Sequence, residues 1–222
     1  MASKQIFQLY AELKDYCPKI WRRFEVVSNI NMARLGYILM TLFEMQASHL
    51  FCFDIPFSKN YRTHLAGQYT PKEIEKFERA FFAENPDYRN LHLELKNEYA
   101  ATSTDAANVA CTSLKDCFYR TGDRLNFTYD FGDNWEVEIK LEKVYKDEIT
   151  SAAFFPRVLE GAGFGIIEDC GGVPGLVDLT AAFKKKTGEE YEKYSRWLGV
   201  TDLDLDTIDL DDMNYRLKKM PR

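Results

Sequence analysis

Apolar and polar residues alternate most regularly on either side of Tyr129-Asp130-Phe131-Gly132-Asp133-Asn134-Trp135. Upstream, Leu125, Phe127, Tyr129 and Phe131 fall on every second position. Downstream, Trp135, Val137, Ile139 and Leu141 do the same, with Glu136, Glu138, Lys140 and Glu142 between them. A period of two sends one set of side chains to a core and the other to water. Gly132-Asp133-Asn134 are residue types that accept a left-handed backbone and close a tight reversal. The pattern predicts a β-hairpin, around which the other elements can be placed.

Lys4 to Leu13 and Ile20 to Val27 read as strands joined by a turn at Cys17-Pro18. From Met32 to Met45 the apolar residues Leu35, Ile38, Leu39, Leu42 and Phe43 recur at intervals of three and four, the stripe of an amphipathic helix, with Asn31 as its cap. Ser48 to Ile55 reads as a strand stopped by Pro56. The opening order is therefore β-β-α-β, an order compatible with a β-grasp-like core. Thr70-Pro71-Lys72-Glu73 carries the signature of a capping box with proline at the first helical position. Ile74, Phe77, Phe81 and Phe82 follow on that helix, which Asn85-Pro86-Asp87 stops. Leu91, Leu93 and Leu95 alternate as a short strand, Glu98 to Asn108 reads as a polar loop, and Ser113 opens a short helix.

Beyond the hairpin, Tyr145 to Phe155 ends a strand and enters a loop. The glycine-dense stretch from Gly161 to Gly175 predicts irregular backbone, with a helix starting only at Leu179 to Phe183. Tyr191, Tyr194, Trp197 and Leu198 mark a further helix ended by Gly199. Asp209 caps a last one carrying Leu210, Met213 and Leu217. The fold class is α+β: a mixed or antiparallel sheet packed by helices. With no repeat and no low-complexity linker, residues 1–222 read as one domain with an inserted helical and loop segment at about 57–110.

Composition narrows the function classes. Hydrophobic residues make up 45% and aromatics 14% of 222 residues, enough for a substantial core. A formal net charge of −6 opposes broad nucleic-acid binding, which needs a cationic surface, and makes direct DNA binding the weakest of three functional readings. Five cysteines, with no CxxC pair, fit free thiols in a reducing cytoplasm. Neither a signal-like leader nor an apolar run of membrane-spanning length is present.

The blocks Ile20-Trp21-Arg22-Arg23-Phe24-Glu25-Val26, His49-Leu50-Phe51-Cys52-Phe53, Tyr129 to Ile139, Glu168-Asp169-Cys170-Gly171-Gly172-Val173-Pro174-Gly175 and Asp209 to Leu217, in this order, resemble the plasmid pRiA4b Orf-3-like family. The resemblance implies one α+β domain of mostly bacterial and archaeal proteins, some labelled as transposable-element passengers or with a resolvase-like name. It brings no established activity and no inherited residue roles. The chain departs from the family pattern at Val137, where many members carry His, and at Ile166-Ile167, where many carry Pro-Pro. Its 57–110 segment is also longer, a candidate lid or partner surface.

Asp130, Asp133, Trp135, Glu136, Glu168, Asp169 and Cys170 form the candidate functional surface, provided the glycine-rich loop folds over the hairpin turn. Clustered carboxylates suit a hard divalent cation such as Mg²⁺ or Ca²⁺, with Asp133, Glu168 and Asp169 as ligands, and such a metal would support phosphate-ester hydrolysis. The plainer reading has Asp130 and Asp133 bonding the turn backbone and Glu136 solvated. Cys170 beside Gly171-Gly172 suits a nucleophile in a nest of amides, but its acidic neighbours favour a buried structural thiol. Gly161-Ala162-Gly163-Phe164-Gly165 lacks the ending of a phosphate loop. Arg22 and Arg23 point to opposite faces of a strand, and an ion pair accounts for at least one. The aspartates of the tail fail the EF-hand pattern, since Thr207 and Met213 stand where Gly and Glu are required. No catalytic constellation is complete. The leading expectation is therefore a non-enzymatic interaction or accessory protein with a protein partner and no cofactor, ahead of the metal-dependent hydrolase.

Overall fold

The computed structural model describes residues 3–86, 90–96 and 106–221. Eight strands form one sheet in the order β5-β4-β3-β6-β7-β1-β2-β8. In sequence they are β1 (Lys4–Leu13), β2 (Trp21–Val27), β3 (Phe51–Ile55), β4 (Leu91–Glu94), β5 (Ala107–Asn108), β6 (Arg124–Tyr129), β7 (Trp135–Asp147) and β8 (Arg157–Ala162). All neighbours are antiparallel except β4 and β5. The helices are α1 (Met32–Leu42), α2 (Phe57–Leu65), α3 (Pro71–Glu84), α4 (Gly172–Lys185), α5 (Glu189–Leu198) and α6 (Leu210–Lys219). The opening is β-β-α-β as expected, although β6 and β7 separate β3 from β1 in the sheet.

The alternation in β6 and β7 sorts the sheet into two faces. Leu125, Phe127, Tyr129, Trp135, Val137, Ile139 and Leu141 are all buried, and α1, α4 and α6 press Leu35, Leu39, Leu176, Leu179, Met213 and Leu217 into the same core. The opposite face is charged and wet. It carries Lys14–Glu136, Arg124–Glu138 and the bidentate Arg23–Glu142 pair, and Glu160 also binds Arg23. Arg23 thus has the ion pair expected of it.

Arg22 has a different role. Its side chain is fully buried on the core side, and its guanidinium donates to four carbonyls: Leu42 at 2.8 Å, Trp21 at 2.8 Å, Ala162 at 2.8 Å and Phe164 at 2.5 Å. It also lies over the Phe43 ring, 5.3 Å from the centroid. A charge without a carboxylate is held by dipoles, including the C-terminal end of α1, where partial negative charge collects. Burial lowers its pKa to about 10.

Several elements depart from the sequence reading. The strand β8, not expected from the sequence, ends inside the glycine-dense stretch at Gly161 and Ala162 and pairs with β2. A Cβ on Gly161 would lie 2.8 Å from the Trp21 carbonyl, and one on Gly165 would lie 2.5 Å from the Phe43 carbonyl. These glycines permit close backbone packing as well as turning. Helix α4 starts at Gly172, seven residues before Leu179. Pro174 sits in its first turn, where no amide is needed. Residues 57–110 contain the uncapped helix α2 and the strand β5, neither of them anticipated, and carry the sheet edge out through β4. Part of the expected Glu98–Asn108 loop lies outside the described residues.

Far from hanging free as a lid, α2 is docked. Buried Asn60 exchanges two hydrogen bonds with the Arg124 backbone, at 2.8 and 3.0 Å, and His64 Nε2 lies 2.6 Å from Asp123. The expected caps are in place: Asn31 on α1, the Thr70–Glu73 box on α3, Gly199 after α5 and Asp209 on α6.

Replacing Arg22 with Leu would take the guanidinium donor from four carbonyls, one buried and three partly buried, at about 1–3 kcal/mol for each group left unpaired. The Arg22→Leu protein should lose at least about 3 kcal/mol, a drop in Tm of roughly 6–12 °C for a chain of this size. Thermal unfolding followed by circular dichroism measures it, and a drop under about 2 °C would contradict the role given to Arg22.

Candidate functional site

The hairpin turn, the lead into β3 and the loop before α4 meet at one corner. The turn keeps its shape with two non-glycine residues in the left-handed region, Asp130 at φ +54 and Asn134 at φ +54. Both are residue types that tolerate this conformation best. Of the expected Gly132-Asp133-Asn134, Asn134 takes the left-handed conformation, and Asp130 adds a second such position ahead of them. Asp130 Oδ1 accepts from the Gly132 amide at 2.9 Å, as the plainer reading had it. Asp133 instead reaches across the corner and accepts from the Gly171 amide at 3.3 Å. A Cβ on Gly172 would stand 2.4 Å from the Asp133 carbonyl. The glycine-rich loop does fold over the hairpin turn.

Glu168 holds this corner together. Its side chain is buried, and it accepts from Tyr129 Oη at 2.6 Å, Ser48 Oγ at 2.9 Å and the Gln46 amide at 2.5 Å. Tyr129 Oη in turn accepts from the Ser48 and His49 amides, at 3.1 and 3.3 Å. A buried carboxylate needs such donors, because an unpaired charge in the core is costly. Burial first, and then the bond to Glu168, raise the pKa of the Tyr129 hydroxyl. Three chain segments are fixed through one acidic side chain.

His49 enters the corner without any local signal in the sequence. Its Nε2 lies 3.7 Å from Asp130, 3.9 Å from Glu168 and 3.9 Å from Asp169, and its ring meets Tyr129 edge-on at 5.8 Å. Only the strand pairing of β3 with β6 brings it there. Leu50 and Phe131 stand exposed at the same corner, 47% and 54% accessible.

The remaining candidates separate. Trp135 is fully buried, so it belongs to the core rather than to a surface, and its indole N–H has no acceptor among the described residues. Glu136 sits on the opposite, charged face, bonded to Lys14 and Asn134. Asp133, Glu168 and Asp169 are not gathered as metal ligands: Glu168 is spent on protein donors and Asp133 on Gly171. Among the described residues, the group of three whose ligand atoms lie within 4.8 Å of one another is elsewhere, at Cys52, Asp54 and His92. Burial pushes the Cys170 thiol up to about 12, with Asp133 and Asp169 adding to the shift, which suits a structural thiol.

A family model described as plasmid pRiA4b ORF-3-like protein matches residues 5–212. The uncharacterized protein y4hQ of Sinorhizobium fredii (strain NBRC 101917 / NGR234) is 25% identical over 210 residues, covering 94% of this chain and 89% of that protein. The crystal structure of a protein of unknown function from Methanosarcina mazei Go1 superposes with a TM-score of 0.72 at 24% identity, over 94% of this chain and 97% of that one, and shows the same fold. No helix among the described residues is long and apolar enough to cross a membrane.

Two outcomes test the corner. In metal-free native protein, exposed Cys17 and Cys111 should react with a thiol reagent at mildly alkaline pH, while Cys52, Cys117 and Cys170 stay protected. Burial raises those three pKa values to about 11, 12 and 12, and peptide mapping of the labelled sites would show whether they stay unlabelled. Glu168→Gln replaces one acceptor oxygen with a donor facing other donors. It should cost about 1–3 kcal/mol in denaturant unfolding, whereas Asp169→Asn at an exposed position should change stability by less than about 0.5 kcal/mol.

Proposed function

The chain belongs to the plasmid pRiA4b ORF-3-like family, and from the geometry of its hairpin corner we propose that it is a non-catalytic interaction protein. The partner it fits is a protein segment with basic and aliphatic side chains. The observation that carries this reading is the contrast between frame and tip. Tyr129, Glu168 and Ser48 lock the backbone from beneath, while Leu50, Phe131, His49 and Asp169 stay in solvent. A pre-formed surface loses little entropy on binding. Exposed apolar groups beside carboxylates supply an anchor and a charge preference.

Two other readings have less support. Hydrolysis through a cation at the acidic corner would require Asp133, Glu168 and Asp169 to be free as ligands, whereas Asp133 is bonded to the Gly171 amide and Glu168 to Tyr129, Ser48 and the Gln46 amide. DNA binding would require a cationic face, yet on the wet side of the sheet each Arg or Lys of the three pairs above is matched by a carboxylate. An accessory role linked to mobile elements rests on the family resemblance alone.

Fluorescence anisotropy with two labelled peptides, one alternating Lys and Leu and one alternating Glu and Leu, tests the proposal. The Lys–Leu peptide should bind, weaken with added salt, and lose about tenfold in affinity, about 1.4 kcal/mol, with Phe131→Ser or Asp169→Asn. Ile149→Glu, at an exposed site off the corner, should leave binding unchanged. Equal binding of both peptides, or insensitivity to the corner variants, would overturn it.

A further inference from the structure

The wet face of the sheet carries a second constellation, independent of the hairpin corner. Cys52 and Asp54 alternate on β3 and point away from the core, and β4 places Glu94 opposite Cys52 and His92 opposite Asp54. Sulfur, imidazole and carboxylate thus occupy a two-by-two grid on neighbouring strands. Ligand atoms of Cys52, Asp54 and His92 lie within 4.8 Å of one another. His92 Nδ1 is 2.7 Å from Asp54 Oδ1, and Nε2 is 2.9 Å from Glu94 Oε1.

We propose that Cys52, Asp54 and His92 bind a divalent cation of the zinc type. The donor set is the first argument. Thiolate, imidazole and carboxylate together select a borderline cation, where an all-carboxylate site would select Mg²⁺ or Ca²⁺. The second argument is the orientation of His92. A ligating histidine characteristically gives its other ring N–H to a carboxylate, and Glu94 already takes Nε2, which leaves Nδ1 facing Asp54 and Cys52. The third is access. Asp54 and His92 have side chains 52% and 38% exposed, so a cation enters from solvent without opening the core.

A tetrahedral zinc ion holds neighbouring donors about 3.3–3.7 Å apart. Asp54 must therefore swing outward from Nδ1 by roughly 0.6–1 Å, a motion open to an exposed side chain. On binding, the metal forms bonds to Cys52 Sγ, Asp54 Oδ1 and His92 Nδ1. The thiol proton and the proton between His92 and Asp54 leave to solvent, so no oxidant or co-reactant is involved. A coordinated thiol is deprotonated by the metal itself, which overcomes the burial of Cys52. Three protein ligands leave the fourth position open to water, the pattern of a site that can exchange ligands.

The test titrates chelator-stripped full-length protein with Co²⁺ and then with Zn²⁺. One equivalent of Co²⁺ should give thiolate-to-cobalt charge-transfer absorption in the near ultraviolet, which Zn²⁺ bleaches. Cys52→Ser should abolish that band. Asp54→Asn, at an exposed position that leaves the fold intact, should weaken binding at least about tenfold. Cys17→Ser, Cys111→Ser and Asp169→Asn should leave the titration unchanged. A band that survives Cys52→Ser, a titration that never saturates, or equal weakening by Asp169→Asn would overturn the proposal.

Discussion

Two buried side chains of opposite charge type, Arg22 and Glu168, grip one segment of chain, and the hairpin corner depends on that grip. Arg22 draws in the carbonyls of Ala162 and Phe164 together with that of Leu42 at the end of α1. A few residues later Glu168 turns inward to Tyr129, Ser48 and the Gln46 amide. Between these points the Ile166 amide bonds the Phe43 carbonyl at 2.9 Å. The segment from β8 to α4 has no regular structure of its own, and these bonds give it one conformation. Neither charge is neutralised by a single counterion. Each is distributed over several hydrogen bonds, the arrangement under which a buried ion is tolerated.

That constraint explains where the glycines fall. The segment runs so close to α1 and the hairpin turn that Gly165 and Gly172 touch backbone carbonyls where a side chain would stand. Pulled against the turn, the chain is then free to enter α4 at once. The same economy appears in residues 57–110. Asn60 and His64 tie α2 to the start of β6, and β4 prolongs the sheet beyond β3. By extending the sheet, β4 also adds surface on its wet face, and there His92 and Glu94 meet Cys52 and Asp54.

The two clusters differ in what their side chains are already doing. At the corner, Glu168 and Asp133 are occupied by donors of the protein itself, so the acidic character seen along the chain is largely structural. His49, Asp169, Leu50 and Phe131 remain outward on a fixed frame, a combination suited to recognition. On β3 and β4 the polar groups bond mainly to one another, through an imidazole with a carboxylate at each nitrogen. Such a group is arranged for a cation more than for packing. Lying on opposite faces of the sheet, the core-side corner loop and this grid make separate demands on the fold.

By itself the sequence determined whatever depends on near neighbours. Period-two alternation marked β6, β7 and the burial of Phe127 and Val137, three-and-four spacing marked α1, and Thr70, Asp209 and Gly199 marked helix ends, because each signal is complete within one turn or one strand. Asp130 as a turn-bonding residue was legible for the same reason. The tertiary structure decided what depends on distant partners. Nothing local told Arg22 from Arg23 until four carbonyls from three parts of the chain gathered round Arg22 and the carboxylates round Arg23. Trp135 stood both in the alternating apolar set and on the candidate surface, and only the folded sheet showed it fully buried. Glycines that looked like loose coil proved to mark close backbone contact. His49 reaches Asp130 and Glu168, and Cys52 reaches His92, only through strand pairing, and pairing is set by the whole sheet rather than by any local run of residues.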